Sequence, residues 1–320
     1  MNRKGSVAGE GQLDRHDPYL EAESALWRRY ELHPSSRTIQ VGHPPARLRV
    51  QEVGDGPPVV LVHGTGGAGA YFAPLLAQLG GFRLVVLDRP GWGLSSPIDY
   101  SRHSYAETVS GVLGDTLDAL EIERAHVIGA SIGDLWALRF ATAERTRVER
   151  IVLLGGGPIS PEISVPPFIK LLRSPLGAVI THLPERPAMF RTQLARMGHG
   201  ASIDAGRIPD VFIEWHAALT RHTSWARHER DMVRAIVGRS GFVPGLVPTA
   251  DEIGSIDAPI LMVYGTSDPV GSIETWTRFI ADAQRGRLHL VERGGHLVWL
   301  DDPAKVGSAI RRHLDEVDSG

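Results

Sequence analysis

The sequence predicts an α/β protein in which helices flank a parallel sheet. The first observation is a series of short, continuous apolar runs, the composition of strands buried on both faces of a parallel sheet. The second is that stretches with helical periodicity separate these runs, and such alternation is typical of α/β proteins. The apolar runs lie at 59–62, 84–87, 125–128, 151–154 and 260–263. The helical stretches lie at about 70–79, 104–121, 132–144 and 272–284.

The third observation is the interval between residues 154 and 260, which contains no clear buried-strand run. A structureless loop of this length is implausible in a compact domain. We therefore predict a mostly helical cap over residues 159–250, and a core formed by residues 17–158 and 251–320. The helical patterns inside the cap lie at about 167–173, 187–197, 208–221 and 225–237.

The elements before the first buried run are predicted from their local patterns. Residues 1–16 contain Gly, Ser and charged residues without a period, which predicts disorder. Asp17-Pro18 is typical of a helix start, so 18–31 is predicted to be an extra N-terminal helix that pads the sheet edge or forms a dimer contact. Alternating segments predict half-buried strands at 38–41 and 48–53, and a last strand follows at 288–291.

The composition excludes several classes of protein. The 320 residues include no Cys, so disulfides, thiolate metal sites, iron–sulfur clusters and a cysteine nucleophile are excluded. The net charge of −3 lacks the basic excess of nucleic-acid-binding proteins. The uncharged stretch 57–82 is interrupted by Gly and Pro, which argues against a membrane helix. With no apolar signal segment near residue 1, we expect a cytoplasmic protein without nucleic-acid or membrane partners.

The glycine-rich loop after the run 59–62 has two interpretations. Gly64 to Gly69 fits G-x-G-x-x-G, and Asp88 ends the next predicted strand, where a dinucleotide-binding protein carries its ribose-binding acid. Alternatively, His63-Gly64-Thr65-Gly66 is an oxyanion loop, whose small residues let backbone N–H groups approach a carbonyl oxygen. Two strands are predicted before this loop, which favours the second interpretation, but the loop alone leaves both open.

A second motif lies where the run 125–128 turns into a helix. Gly129-Ala130-Ser131-Ile132-Gly133 matches G-x-S-x-G, the nucleophile elbow, in the strand–turn–helix context that this motif requires. The alternative is a glycine-rich helix start in which Ser131 is only the N-cap.

A serine nucleophile needs a general base and an acid that orients the base. Asp268 follows the run 260–263, although by itself it also fits an N-cap before Pro269. His296 follows Gly294 and Gly295 in the loop after the last strand, a combination that the other histidines lack. The chain order Ser131, Asp268, His296 is the order of acid and base that accompanies a nucleophile elbow. We interpret His216, His222 and His228 as residues of the cap surface or pocket.

These residues together resemble the α/β-hydrolase fold family, in its capped branch with a serine nucleophile. The resemblance covers residues 38–316 and implies an eight-stranded, mostly parallel sheet with the cap inserted after strand 6. It implies a catalytic triad of Ser131, Asp268 and His296 and an oxyanion hole from the backbone N–H groups of Thr65 and Ile132. The residues expected to support these loops are His63, Gly64, Gly66, Gly129 and Gly133.

Asp134 departs from the pattern, because many members of this family carry Gly there. We expect its carboxylate to be favoured by the dipole at the start of the helix, and to reshape the pocket or lower activity toward standard esters.

The identity of the nucleophile narrows the range of reactions that we expect. Haloalkane dehalogenases and epoxide hydrolases of this fold use Asp at the elbow, so Ser131 argues against both. We expect a carboxylic ester or lactone hydrolase that acts on a medium-sized apolar substrate without cofactor or metal, as a monomer or homodimer. A carbon–carbon bond hydrolase of vinylogous diketones, a cofactor-free perhydrolase and a non-catalytic ligand receptor are the alternatives. The candidate pocket residues are Ala130, Phe168, Phe190, Trp215 and Leu297.

Overall fold

The computed structural model describes residues 17–100, 104–181 and 186–316, so the predicted disorder of 1–16 lies outside the described residues. Eight strands form one sheet in the order β1-β2-β4-β3-β5-β6-β7-β8. β1 and β2 run antiparallel to their neighbours and the other strands are parallel, which confirms the predicted sheet. The strands are β1 (Ser35–Gly42), β2 (Pro45–Val53), β3 (Pro58–Val62), β4 (Arg83–Leu87), β5 (Ala125–Ala130), β6 (Val148–Leu154), β7 (Ile260–Gly265) and β8 (Gly286–Val291).

Helices cover both faces of the sheet and fill most of the interval between β6 and β7. The helices before β6 are α1 (Pro18–Arg29), α2 (Ala73–Leu76), α3 (Tyr105–Ala119) and α4 (Ile132–Ala143). Between β6 and β7 lie α5 (Pro167–Arg173), α6 (Pro175–Ile180), α7 (Pro187–Leu194), α8 (Gly200–Asp204), α9 (Asp210–His222), α10 (Trp225–Ile236) and α11 (Ala250–Gly254). After β7 follow α12 (Ile273–Ala281), α13 (Val298–Asp301) and α14 (Pro303–Leu314). A π-helical turn, Ala195–His199, joins α7 to α8.

The predicted and observed elements differ mainly at short helices. The predicted helix 70–79 is a 3₁₀ turn, Gly69–Phe72, followed by the single turn of α2. The 3₁₀ turn starts at Gly69, whose N–H is held by the Asp88 carboxylate at 2.7 Å. The observed helices that were not predicted are α6, α8, α11, α13 and α14. All but α14 are too short to show an apolar period. The cap limits 159 and 250 stay a prediction, although none of the described residues between β6 and β7 adds a strand to the sheet.

The core explains why the strands consist of continuous apolar runs. Successive residues of β3 enter different clusters, with Val60 and Val62 on one face of the sheet and Val59 and Leu61 on the other. All residues of β5 and β7 are buried. Burying each large apolar side chain stabilises the fold by about 1.5–3 kcal/mol, so both faces contribute. In the described ranges, no helix is long and apolar enough to cross a membrane.

The N-terminal helix packs against the cap. α1 contacts α9, and its buried Leu26 and Trp27 share a core cluster with Phe212 of α9. On the same helix, the Glu23 carboxylate accepts two hydrogen bonds from the Arg49 guanidinium of β2, at 2.9 and 2.6 Å. Both side chains are almost completely buried. α1 therefore joins the cap to the sheet through apolar packing and one buried ion pair.

We predict that Glu23→Ala destabilises the protein by about 3 kcal/mol, because it leaves the buried Arg49 guanidinium without its closest carboxylate. Urea unfolding followed by circular dichroism measures the change. The matched control is Glu21→Ala in the exposed face of the same helix, which should change the free energy of unfolding by less than about 0.5 kcal/mol. Equal unfolding midpoints for the two variants would contradict the prediction.

Candidate active site

Ser131 lies at a strained turn between β5 and α4. Its φ of 55° and ψ of −117° are rare for a residue with a side chain, and such strain is common at functional sites. The turn is tight: a Cβ at Gly133 would lie 2.1 Å from the Val62 carbonyl oxygen, so only Gly fits there. Although Ser131 occupies the N-cap position of α4, its side chain makes no capping hydrogen bond. The hydroxyl is therefore not used as a helix cap.

The two other residues of the predicted triad are hydrogen-bonded to each other. His296 Nδ1 and Asp268 Oδ2 are 2.9 Å apart, and both side chains are buried. The second oxygen of Asp268 accepts the Val270 N–H at 2.8 Å. Helix α12 begins later, with Ser272 as its N-cap, so the N-cap alternative for Asp268 is wrong. Burial by itself lowers the pKa of His296, but the charge of Asp268 and their hydrogen bond outweigh it and raise that pKa above 6.5.

The glycine turn 155–157, directly after β6, touches both Ser131 and His296. A Cβ at Gly157 would lie 1.9 Å from the Ser131 carbonyl oxygen, and one at Gly155 would lie 2.1 Å from the His296 carbonyl oxygen. The Ser131 N–H also donates to the Leu154 carbonyl at 3.0 Å. This turn therefore places the serine and the histidine at the same edge of the sheet. Sequence reasoning missed it, because its three glycines match no catalytic motif.

The predicted oxyanion loop packs directly against the elbow. A Cβ at Gly64 would lie 3.1 Å from the Ser131 Cβ, so the residue before Thr65 lies against the serine. Ile132 is the first residue of α4, where a backbone N–H has no acceptor within the helix. An N–H of this kind, at the positive end of the helix dipole, suits a developing oxyanion. The roles of Thr65 and Ile132 stay predictions.

The buried side chains of His63 and Arg89 hold the predicted oxyanion loop in place. His63 Nδ1 donates to the Gly64 carbonyl at 2.8 Å, and Nε2 accepts the Arg89 N–H at 3.0 Å. The Arg89 guanidinium donates to the same Gly64 carbonyl at 3.0 Å. Burial and the Arg89 charge keep the pKa of His63 well below 6.5, so its ring is neutral. Gly64 is thus fixed by two side chains.

Residues of the cap also contact the predicted oxyanion loop. The His216 ring donates from Nε2 to the Gly66 carbonyl at 3.0 Å and stacks on Phe190 with ring centroids 3.5 Å apart. Burial lowers the pKa of His216 to about 3. Nearby, the Glu229 carboxylate accepts the Trp92 indole N–H at 3.0 Å. The expectation that His216 lies at the cap surface or in the pocket is thus refined: it is a buried contact between cap and loop.

Asp88 explains why the dinucleotide interpretation is wrong. One carboxylate oxygen accepts the Gly69 N–H at 2.7 Å and the other accepts the Leu94 N–H at 3.0 Å. Asp88 is buried and lies 3.6 Å from the Arg49 guanidinium. Its carboxylate therefore ties two core loops together and is not presented to a ribose.

Asp134 is buried beneath the elbow. Its Oδ1 accepts the Leu154 N–H at 3.0 Å, just before the glycine turn. Burial, with a smaller effect from Asp268, raises the pKa of Asp134 well above 3.8. The helix dipole was expected to favour a carboxylate here, but desolvation is the larger effect and the neutral acid is favoured.

The candidate pocket residues differ in exposure. Ala130 and Trp215 have no exposed surface, and Phe190 and Leu297 are 3% and 2% exposed. Phe168 is 57% exposed on α5. Trp215 packs against Tyr71 at 5.9 Å between ring centroids, which gives it a place between cap and core. The pocket assignment of all five residues stays a prediction.

A serine at a strained strand-to-helix turn, with a His–Asp pair at the same sheet edge, is typical of hydrolases. The chain belongs to the alpha/beta hydrolase family, which matches residues 59–309.

Two relatives and two solved structures are similar to this chain. Hydrolases from Cupriavidus pinatubonensis and Paraburkholderia xenovorans, both named 2-hydroxy-6-oxononadienedioate/2-hydroxy-6-oxononatrienedioate hydrolase, are 30% and 31% identical over 81% of this chain and 87% of each relative. Naproxen esterase from Bacillus subtilis aligns with a TM-score of 0.73 and 21% identity over 95% of this chain and 100% of its own. The 2-hydroxy-6-oxo-6-phenylhexa-2,4-dienoate hydrolase of Rhodococcus sp. strain RHA1 aligns with a TM-score of 0.70 and 19% identity, over 89% and 100%. At these identities, the two solved structures support the fold alone.

We predict that Asp134→Asn raises the free energy of unfolding at neutral pH. The folded protein favours the protonated acid, whereas the unfolded chain ionises near the ordinary pKa of 3.8, so the native protein loses stability as the pH rises above that value. The advantage of the Asn variant should grow by up to about 1.4 kcal/mol per pH unit above pH 4. Urea unfolding at pH 4.5, 6 and 7.5 measures it.

The control for this prediction is Asp251→Asn, on the exposed face of α11, which should change stability by less than about 0.5 kcal/mol at each pH. An advantage for Asp134→Asn that does not change with pH would mean that Asp134 is ionised in the folded protein.

Proposed function

We propose that this hydrolase cleaves a carboxylic ester or lactone through an acyl-enzyme formed on Ser131. The observation that carries the proposal is the strained Ser131, held by the same glycine turn as a His296 ring that Asp268 orients at 2.9 Å. A serine hydroxyl is a weak nucleophile unless a base removes its proton. Since Asp268 occupies Nδ1 of His296, Nε2 is left to accept that proton.

The proposed mechanism has two halves. Ser131 Oγ attacks the substrate carbonyl carbon while His296 takes the hydroxyl proton, and the oxyanion receives hydrogen bonds from the Thr65 and Ile132 N–H groups. Each such donor typically lowers the barrier by roughly 3 kcal/mol. The tetrahedral intermediate collapses, the alcohol leaves with the proton from His296, and an acyl-enzyme remains. Water then attacks the acyl carbon, His296 takes its proton, and Ser131 is released with the carboxylic acid.

The surroundings of the oxyanion loop support an uncharged substrate. His216 and Trp225 lie within 4 Å of the position that a Cβ at Gly66 would take, and His216 is neutral. The Arg89 guanidinium already donates to the Gly64 carbonyl and lies over the Trp92 ring at 4.1 Å. Burial raises the pKa of the Glu229 carboxyl, and the nearby Arg89 charge opposes that effect without cancelling it. This cation is therefore engaged within the protein, which favours neutral esters over carboxylate-bearing substrates.

The second candidate is hydrolysis of a carbon–carbon bond next to a ketone. The observation that favours it is the name shared by the two relatives, which describes hydrolases of dienedioates. The same triad and oxyanion loop would serve, with an enol in place of the alcohol as leaving group. A dienedioate carries two carboxylates, so this activity needs cationic side chains other than Arg89. The perhydrolase and receptor alternatives, the cytoplasmic location and the monomer or homodimer stay predictions.

We predict that kcat/KM rises with pH through the raised pKa of His296, because only the neutral imidazole accepts the Ser131 proton. Asp268→Asn should lower kcat by about 10⁴-fold, since the ring loses the partner that sets its tautomer. It should also move the midpoint of the profile to lower pH. Asp282→Asn, at the exposed end of α12, is the control and should keep the native profile. A flat profile between pH 5.5 and 8.5 would argue against His296 as the base.

The substrate class is tested by parallel assays of p-nitrophenyl esters, lactones and a 2-hydroxy-6-oxodienoate ring-fission product. We expect turnover of neutral esters or lactones with medium-sized acyl groups, absent in Ser131→Ala. Turnover of the ring-fission product alone would replace the ester proposal with the carbon–carbon one. Ligand binding that survives Ser131→Ala, with no product from any substrate, would identify a receptor instead.

A further inference from the structure

The backbone on both sides of the catalytic histidine is hydrogen-bonded to the cap. The His296 N–H donates to the Met197 carbonyl at 2.9 Å, and the Leu297 N–H donates to His199 Nε2 at 3.0 Å. Met197 and His199 belong to the π-helical turn between α7 and α8. Two successive amides of the histidine loop thus depend on one turn of the cap. Since Leu297 is 2% exposed, no bulk water is at hand to replace a lost acceptor.

A second buried His–Asp pair holds this arrangement. His199 Nδ1 lies 2.9 Å from an oxygen of Asp301, and His199 has no exposed surface. The same Asp301 oxygen accepts the Gly295 N–H at 2.8 Å, and its other oxygen accepts the Ser202 hydroxyl. Asp301 therefore connects the cap histidine to the residue just before His296.

The hydrogen bonds define the state of the His199 ring. Nε2 accepts a hydrogen bond from the Leu297 N–H, so it carries no proton, and Nδ1 bears the proton that faces Asp301. The ring is therefore the neutral Nδ1–H tautomer. His199 Nδ1 faces a carboxylate, as His296 Nδ1 faces Asp268. The two rings differ at Nε2, which in His199 accepts a backbone N–H and in His296 is proposed to act on Ser131.

The cap turn also touches the loop of the catalytic acid. Gly198 has a φ of 93°, and a Cβ there would lie 2.2 Å from the Ser267 carbonyl and 2.9 Å from the Gly295 Cα. Backbone contact this close leaves little room for independent movement of the turn and the two loops. The turn is consequently placed against both the Asp268 loop and the His296 loop.

We propose that His199, oriented by Asp301, is a positioning residue that holds His296 at the distance at which it acts on Ser131. The inference rests on the proposed function, because it takes His296 to be the base. His199 acts through the Leu297 amide, which donates to its Nε2. A displacement of about 1 Å in a catalytic group can cost roughly 10²-fold in rate, and loss of one of these anchors allows such a displacement.

The test uses two substitutions that divide the functions of the ring. His199→Asn keeps a donor near the Nδ1 position for Asp301 but offers Leu297 no acceptor. His199→Gln places an amide oxygen near the Nε2 position and can accept the Leu297 N–H. The rate of Ser131 labelling by a fluorophosphonate is measured in the full-length chain, together with kcat and KM on the best substrate. Thermal unfolding of each variant is followed alongside.

We expect His199→Asn to lower the labelling rate and kcat by 10- to 100-fold, with KM within about 3-fold of native. His199→Gln should recover to within about 3-fold of the native rate. A merely structural role would lower the unfolding temperature of both variants and leave the labelling rate of the folded protein unchanged. That result, or equal losses of rate in both variants, would overturn the proposal.

A measurement without substrate separates this inference from the proposed function. In ¹⁵N-histidine-labelled protein, the Nδ1 proton of His296 in its bond to Asp268 gives a resonance that reports the position of the ring. We expect His199→Asn to shift or broaden this resonance and His199→Gln to restore it, even if the native protein is not labelled at Ser131. Absence of labelling in the native protein counts against the proposed function alone, whereas an unchanged resonance in His199→Asn counts against the positioning role.

If His199→Asn does not fold, Ser202→Ala, which removes one donor to Asp301, gives the same two readouts.

Discussion

Backbone-to-backbone packing around the glycine turn 155–157 holds together the sheet edge that carries Ser131 and His296. The turn presses against the carbonyl groups of Ser131 and His296, two residues that are far apart in the chain. Side chains at Gly155 or Gly157 would drive the elbow and the histidine loop apart. The strained backbone of Ser131 persists because β5, β6 and α4 meet there without space for relaxation.

The cap contacts two loops of the candidate site directly. Its helix α9 reaches the predicted oxyanion loop through His216, and the π-helical turn reaches the His296 loop through Met197 and His199. α1 packs against α9, so the N-terminal helix is connected to the same contacts. Movement of the cap would therefore change the positions of both the His63–Gly66 loop and the His296 loop.

Burial and charged neighbours together decide the protonation of several buried groups in this molecule. The buried Glu23 carboxylate is hydrogen-bonded directly to the Arg49 guanidinium. Asp134 instead meets a backbone donor at Leu154, and burial there favours the neutral acid. The histidines behave similarly: His63 and His216 are kept neutral by burial, whereas Asp268 reverses that effect for His296. Among these histidines, the one with a carboxylate partner is the one proposed as the base.

The α/β class, the eight strands and the candidate residues Ser131, Asp268 and His296 could all be predicted from local patterns, because buried strands and tight turns leave apolar runs and glycines in the sequence. The glycine loop taken alone fitted two functions, and only the motifs around Ser131, Asp268 and His296 favoured the oxyanion loop. The N-terminal helix was left without a partner. The folded structure was needed to show that Asp88 binds core amides, that Asp134 is buried, and that His199 and Asp301 bind the amides on either side of His296. The reason is physical: these roles depend on contacts between residues distant in the chain, and on the desolvation that such contacts impose, neither of which has a local pattern.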